Sequence, residues 1–356
     1  MPAITAVYTT PVLAPLARPL KTASGHIEKF PLVLLDLHTD AGVSGHAYAE
    51  IYLPELLPAL ESTILGLGQL IAGRELAPRV LYDFLLTRLR LWGVKNLVGV
   101  ALGALDMACW DAFARLRDEP LYATLGAAPQ PVEVYMSAGM YDAASVVEVA
   151  EAAVREGYTA LKIKLGFATL EEDLAAVRAA RRVLGPRALM IDYNQCLNPQ
   201  EARRRCAALD GEGLAWIEEP VLADDYATHA ELAAMLATPI QIGENFNGPE
   251  DMQLALAARA MDYVMPDPQF IRGVSGWLEA AALARTARMP MSSHLFPEAS
   301  AHLLCATPTG HYLEWLDVAS ALVREPLALV DGRITPPARP GLGIEWNVEA
   351  IARHRV

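Results

Sequence analysis

The sequence predicts an α/β protein in which an α+β segment is followed by a closed parallel barrel. Three observations carry this. From about residue 131 short apolar strands alternate with helical stretches, the strand candidates number eight, and most strands end in a charged or polar residue. Alternation on this scale means a parallel sheet, and eight repeats predict that the sheet closes on itself. A chain of 356 residues fits one large barrel with additions, or two ordinary domains.

Up to about residue 125, Phe30 to His38 reads as a strand. Asp40, Ala41 and Gly42 then turn the chain into a second strand over Ser44 to Ile51. Helices are expected over Leu53 to Leu70, Pro78 to Arg90 and Asn96 to Arg115, the last rich in small residues suited to burial. The barrel strands are VEVYMS, TALKIKL, ALMIDYN, GLAWIEE, PIQIGE, DYVMPD, MPMSSH and HYLEW. Helices over Ala143 to Glu156, Leu170 to Leu184 and Pro199 to Leu209 separate the first four. The last 35 or so residues, rich in Pro and Gly, read as irregular or extended and are expected to pack back on the first segment.

Composition narrows the function. With 53% hydrophobic and 20% charged residues the chain has the makings of a large core, not of a disordered segment. A net charge of −13 argues against nucleic acid or an acidic membrane surface as partner. The short run Arg203, Arg204 and Arg205 reads as a solvated helix face. Cys109, Cys196, Cys206 and Cys305 form no CxxC pair, so neither a zinc ribbon nor a disulfide framework is expected. They read as buried or inert thiols of a cytoplasmic protein. The first 20 residues lack a basic start and are broken by prolines, a poor signal peptide, and no run of about 18 uninterrupted apolar residues predicts a membrane span.

The chemistry lies at the strand ends. The series Lys164, Asp192, Glu218 or Glu219, Glu244, Asp267, His294, Glu314 advances, taking Glu218, by 28, 26, 26, 23, 27 and 20 residues, one strand–helix unit each time. In a barrel the C-terminal strand ends converge on one mouth, where active sites are built. Asp192, Glu218 or Glu219, and Glu244 come from three consecutive strands. Three converging carboxylates repel unless a cation sits between them, and hard oxygen donors favour Mg²⁺, with Mn²⁺ an alternative. The strand period alone does not choose between Glu218 and Glu219, which should point to opposite faces.

Lys162 and Lys164 flank Ile163 and share a face. Two ammonium groups beside a cation disfavour each other's charge, which lowers a lysine toward the range of a general base. Asn194 shares a face with Asp192. Asp267 and His294 end neighbouring strands, so a carboxylate is expected behind the imidazole, setting its tautomer and basicity. His302 and His311 lack such a setting and read as packing or surface residues. Together these groups suit abstraction of a proton from the carbon beside a carboxylate. A metal on the substrate carboxylate supplies several kcal/mol of charge stabilisation, and Lys162 and a protonated Glu314 add hydrogen bonds to the same oxygens. With Lys164 on one side and His294 on the other, the carbon has a base on each face.

LKIKLG, IDYNQ, WIEEP, IGEN, MPD, PMSSHLFPEASAHLL and HYLEWLD, with PLVLLDLHTDAGVSGHAY in the first segment, resemble the mandelate racemase subgroup of the enolase superfamily, the mandelate racemase/muconate lactonizing enzyme family. The resemblance implies a (β/α)7β modified TIM barrel with an α+β capping domain formed by the N-terminal segment and the C-terminal tail. The division expected is residues 1–125, 126–320 and 321–356. It implies Mg²⁺ on Asp192, Glu218 and Glu244, with Lys164 and His294 as bases and Asp267 behind His294. Lys162 and Glu314 would bind the substrate carboxylate and Asn194 the α-hydroxyl, while Ser137, Tyr52, Leu20 and His26 complete the substrate contacts. It also implies a homo-oligomer, an octamer among its forms.

The reaction expected is racemisation or epimerisation of a 2-hydroxy acid through an enediolate. An acid-sugar dehydratase, which eliminates water from an aldonate or aldarate, uses the same residues. A carboxylate-binding protein without activity is the third reading, and the intact Lys164 and His294 argue against it. The loop over residues 20–29 is polar here, with Lys21, Ser24, His26, Glu28 and Lys29, where mandelate racemase is apolar. Glu50 adds a charge near the cap. Either these side chains face solvent, or the substrate is more polar, such as a sugar acid.

Overall fold

A computed structural model describes residues 1–22 and 25–356. The first strands are β1 (Ile4–Thr22), β2 (Gly25–Thr39) and β3 (Ser44–Glu50), a three-stranded antiparallel sheet with β2 in the centre. The central position explains the unbroken apolar run at 32–35, which is buried. Strand β1 was not legible in the sequence, because its prolines at 11, 15 and 19 read as breakers. It is an edge strand, where a residue without an N–H is tolerated.

Helices α1 (Leu57–Ile71), α2 (Pro78–Leu89) and α3 (Asn96–Leu116) pack behind this sheet. The start of the first expected helix, at residues 54–56, is a 3₁₀ turn. Helix α3 is long and apolar enough to cross a membrane by length and composition, with a mean hydropathy of 1.5. It is instead a core helix, packed between the sheet and the barrel, and its side chains from Gly99 to Ala112 are all buried. A short helix, α4 (Leu121–Thr124), leads to the barrel.

The barrel strands are β4 (Val132–Met140), β5 (Ala160–Lys164), β6 (Ala188–Asp192), β7 (Ile217–Glu218), β8 (Ile240–Ile242), β9 (Tyr263–Val264), β10 (Met291–Ser293) and β11 (Gly310–Trp315). They run parallel in chain order, and β11 pairs with β4 to close the ring. The intervening helices are α5 (Ser145–Arg155), α6 (Leu170–Leu184), α7 (Pro199–Leu209), α8 (Tyr226–Met235), α9 (Pro249–Ala258), α10 (Gly273–Ala287) and α11 (Pro297–Cys305). Eight strands and seven helices among the described residues make the expected (β/α)7β barrel.

In the tail, β12 (Arg333–Ile334) pairs antiparallel with β4, and α12 (Val348–His354) packs on β1 of the cap. The sequence reading had no helix there.

Two further expectations change. Arg203 is half-buried and Arg204 exposed, but Arg205 is buried against Asp173 at 2.7 Å and does not belong to a solvated face. Of the thiols expected to be buried or inert, Cys196 is exposed. Partial burial still pushes its thiol up to about 11, which keeps it unreactive at neutral pH.

Candidate active site

Strand alternation decides which side chains enter the barrel mouth. Lys162 and Lys164 point the same way from β5, and register pairs Lys164 with Asp192 and Asp192 with Glu218. Donor oxygens of Asp192, Glu218 and Glu244 lie within 4.8 Å of one another, and all three residues are buried. Glu219 is buried too, because β7 ends at Glu218 and Glu219 turns away with φ 36°. Its carboxylate accepts from Asn245 Nδ2 at 3.1 Å and does not belong to the trio. The alternation rule thus stops applying at the residue where the choice arises. Trp216 Nε1 and Gln241 Nε2 donate to Glu218 Oε2 at 2.9 and 3.2 Å and orient it. Neither was singled out from sequence, although a glutamine inside the apolar strand IQI was a signal.

The electrostatics differ from the sequence expectation in two respects. Burial opposes the charge of both lysines, yet both are raised, Lys162 mainly by Glu218 and Glu314 and Lys164 mainly by Asp192. Lys164 Nζ is 2.6 Å from Asp192 Oδ2, and Lys162 contacts Glu218 and lies 2.8 Å from Glu314. Facing carboxylates outweigh the neighbouring ammonium. Glu314, expected to be protonated, is held ionised. Despite burial, Lys162 and then His294 draw it down to about 2.

His294 Nδ1 donates to Asp267 Oδ2 at 2.8 Å, the expected dyad. Its Nε2 faces Glu244 at 3.3 Å and Glu314 at 3.6 Å. Burial works against the imidazolium, but Glu244, Glu314 and Asp267 together push His294 up to about 10. Just beyond β6 and β10, Asn194, Gln195, Leu295 and Phe296 have φ between 43° and 64°. Such left-handed conformations in residues other than glycine cluster at functional sites. They bring Asn194 Nδ2 to 2.9 Å from Asp192.

One cavity of about 450 Å³ opens between barrel and cap, lined by Lys164, Asn194, Glu244, His294 and Glu314 from the barrel. Ser137, Tyr52, Leu20 and His26 line it as well, but Lys162, expected on the substrate carboxylate, does not reach it. Lys162, Asp192, Glu218 and Asp267 lie behind this lining. From the polar loop, Thr22, Gly25 and Ile27 also line the cavity. Lys21, Glu28 and Lys29 are exposed and line no part of the cavity, and Ser24 lies outside the described residues. Glu50 is buried behind the cavity, not at its cap surface. Sequence reading missed the apolar wall formed by Ile27, Leu53, Pro54 and Leu316.

Residues 4–126 match the mandelate racemase/muconate lactonizing enzyme N-terminal domain, and residues 145–351 match the enolase C-terminal domain-like family. The chain belongs to the mandelate racemase/muconate lactonizing enzyme family. Its barrel and cap match, over 100% of this chain and 99% of the other, an enolase from Bradyrhizobium solved in complex with magnesium and mandelic acid, at 42% identity and a TM-score of 0.97.

An L-talarate dehydratase from Polaromonas, complexed with Mg and L-glucarate, is similar at 28% identity and a TM-score of 0.92, covering 100% of this chain and 98% of that one. Among characterised relatives, L-talarate/galactarate dehydratase of Salmonella typhimurium is 32% identical over 70% of this chain, and the match spans 64% of that protein's own length. D-galactarolactone cycloisomerase of Agrobacterium fabrum is 29% identical over 99% of both. Relatives in this mandelate racemase/muconate lactonizing enzyme family thus include lyases and isomerases built on one barrel.

Proposed function

We propose that the protein is a Mg²⁺-dependent racemase of a 2-hydroxy acid whose substituent is largely apolar. The observation that carries this is the apolar part of the cavity wall. Leu20, Ile27, Leu53, Pro54 and Leu316 line the cavity together with the two bases, beside the polar Thr22, His26, Tyr52 and Glu55. Hydroxyls of a sugar acid set against these five apolar side chains would lose their partners, at about 1–3 kcal/mol each. An aryl or alkyl group fits, and an acid without a 3-hydroxyl has no water to eliminate. Its remaining outcome is reprotonation from the other face.

The donor set supports a hard divalent cation. Asp192, Glu218 and Glu244 offer three buried oxygen ligands, and Glu244 Oε2, 3.3 Å from His294 Nε2, makes no hydrogen bond among the described residues. A cation held there supplies charge stabilisation to the substrate carboxylate and competes with the lysines for the Asp192 and Glu218 oxygens.

Lys164 and His294 then take and return the α-proton on opposite faces. Asn194 orients the α-hydroxyl. A substrate carboxylate seated against Glu314 shares one proton with it, since two touching carboxylates do not both stay ionised, and that proton hydrogen-bonds the enediolate oxygen. Lys162, buried behind Glu314, balances the charge. The same reading takes the chain as a cytoplasmic homo-oligomer acting on a small carboxylate, without nucleic-acid or membrane partners. The net charge of −13 supports the last point.

The test is a set of ¹H NMR time courses in D₂O with Mg²⁺, using each enantiomer of mandelate, an aliphatic 2-hydroxy acid, galactarate and L-talarate. The expected result is α-deuterium uptake with inversion for the apolar acids alone. A 2-keto-3-deoxy product from either sugar acid, with no exchange into the apolar acids, would replace racemisation by dehydration.

A further inference from the structure

Behind the imidazole–carboxylate pair lies a second buried pair that joins the cap to the barrel. Gln269 follows β9 by a short loop, and its backbone N–H donates to Asp267 Oδ1 at 2.7 Å, as does that of Phe270 at 3.1 Å. Its side chain meets Glu50, the last residue of β3, in both directions. Gln269 Nε2 donates to Glu50 Oε1 at 2.6 Å, and the Glu50 N–H donates to Gln269 Oε1 at 3.0 Å.

Helix α3 closes the third side, where a Cβ on Gly103 would stand 2.2 Å from the Gln269 carbonyl oxygen. A continuous line therefore runs from β3 through Glu50, Gln269 and Asp267 to His294 Nδ1, whose own bond to Asp267 is 2.8 Å. Among the described residues no comparable line reaches Lys164, whose ammonium is held from within the barrel by Asp192.

A plain structural pin has no need of this chemistry. Glu50 is 2% exposed, and its Oε2 has no hydrogen-bond partner among the described residues. An apolar side chain would join cap to barrel without leaving a buried polar atom unpaired. The carboxyl is kept in its neutral form, pushed up to about 8 by burial and then by Asp267, with Glu244 adding to the rise and His294 opposing it. A neutral acid accepts from Gln269 without placing a second negative charge beside Asp267.

We infer that Glu50 and Gln269 are positioning residues for one of the two bases: through the Asp267 carboxylate they set the orientation of His294 and leave Lys164 untouched. This rests on the racemase reading for its kinetic consequence, but not for its structural one.

The test uses the Mg²⁺-loaded protein labelled with ¹⁵N-histidine. The downfield Nδ1–H resonance absent from His294→Asn identifies the His294–Asp267 hydrogen bond without any substrate. Glu50→Gln, neutral and of the same shape, is expected to keep that resonance in place. Glu50→Ala and Gln269→Ala are expected to shift it upfield or lose it to solvent exchange. If Glu50→Ala does not fold, Glu50→Asp, one methylene shorter, serves in the same comparison.

With a racemised acid, Glu50→Ala should slow exchange of the enantiomer served by His294 by about 10–100-fold, the usual cost of losing an outer partner of this kind. Exchange of the enantiomer served by Lys164 should stay near the native rate. An unchanged resonance in both alanine variants would overturn the inference. So would equal loss of exchange for both enantiomers, since a loosened cap slows both bases alike. A native protein that racemises nothing would remove the functional reading and leave the resonance test intact.

Discussion

Two residues apart on one strand, Lys162 and Lys164 have different surroundings, and the roles proposed for them rest on that difference. Lys162 is fully buried between Glu218 and Glu314, whereas Lys164 lines the cavity. Substituting Lys164 by Ala is expected to remove deuterium exchange from one enantiomer by about 10²–10⁴-fold, the range of a lost general base, while His294→Asn removes it from the other. NMR on resolved enantiomers reads both. Equal loss on both faces in each variant would sink the two-base assignment.

Magnesium should raise the melting temperature of the native protein, because a ligand binding only the folded state stabilises it by about 2.7 kcal/mol at 100 times its dissociation constant. Glu244→Gln should abolish that rise, as differential scanning fluorimetry with and without Mg²⁺ would report. At this scale the period-two pattern of β5 was enough to align the lysines. It did not give their charge states, because those depend on carboxylates brought from β6, β7 and β11.

The elements that build the site are short and end early. Strand β7 has two residues, and its end at Glu218 separates a carboxylate of the metal trio from Glu219, buried beside Asn245. The alternation of eight apolar strands was visible in the chain, since each must bury itself between barrel core and helices. Strand β1 was not, because its prolines are acceptable only at a sheet edge, and sequence does not say which strand is the edge.

Helix α3 couples the two parts of the protein. Asp106 accepts from the Ser275 N–H and hydroxyl at 2.8 and 2.7 Å, and Gly103 lets the loop after β9 approach. Gly103→Ala would set a methyl carbon against a backbone carbonyl. Urea unfolding should register a loss of roughly 1–3 kcal/mol, the usual cost of overpacking. An unchanged midpoint would show that the two elements yield easily.

Across the whole molecule, burial also sets how stability depends on pH. His302 lies under Tyr122 and His229 in α8, both fully buried, and burial pushes them down to about 3 and about 4. Folded values below the ordinary 6.5 mean that the unfolded chain binds protons first. Their contribution is fully present above about pH 6.5 and is lost as pH falls toward 4 and then 3. His302→Gln should flatten the acid limb of a stability–pH curve by on the order of 1–3 kcal/mol, measured by urea titration at pH 7 and pH 4.5. An acid limb of unchanged slope would mean that His302 takes its proton without unfolding.

The amino-acid sequence by itself determined the barrel, the order of its strand ends and hence which polar residues meet at the mouth. Burial on both faces of a parallel sheet forces a pattern that survives in one dimension. Only the tertiary structure decided what faces the substrate. The polar loop presents Leu20 and His26 to the cavity and turns Lys21, Glu28 and Lys29 to solvent. Glu50, expected as a charge near the cap, sits behind the site against Gln269. Side-chain identity in a loop carries no period from which direction can be read, so the lining of the cavity was set by contacts between residues far apart in the chain.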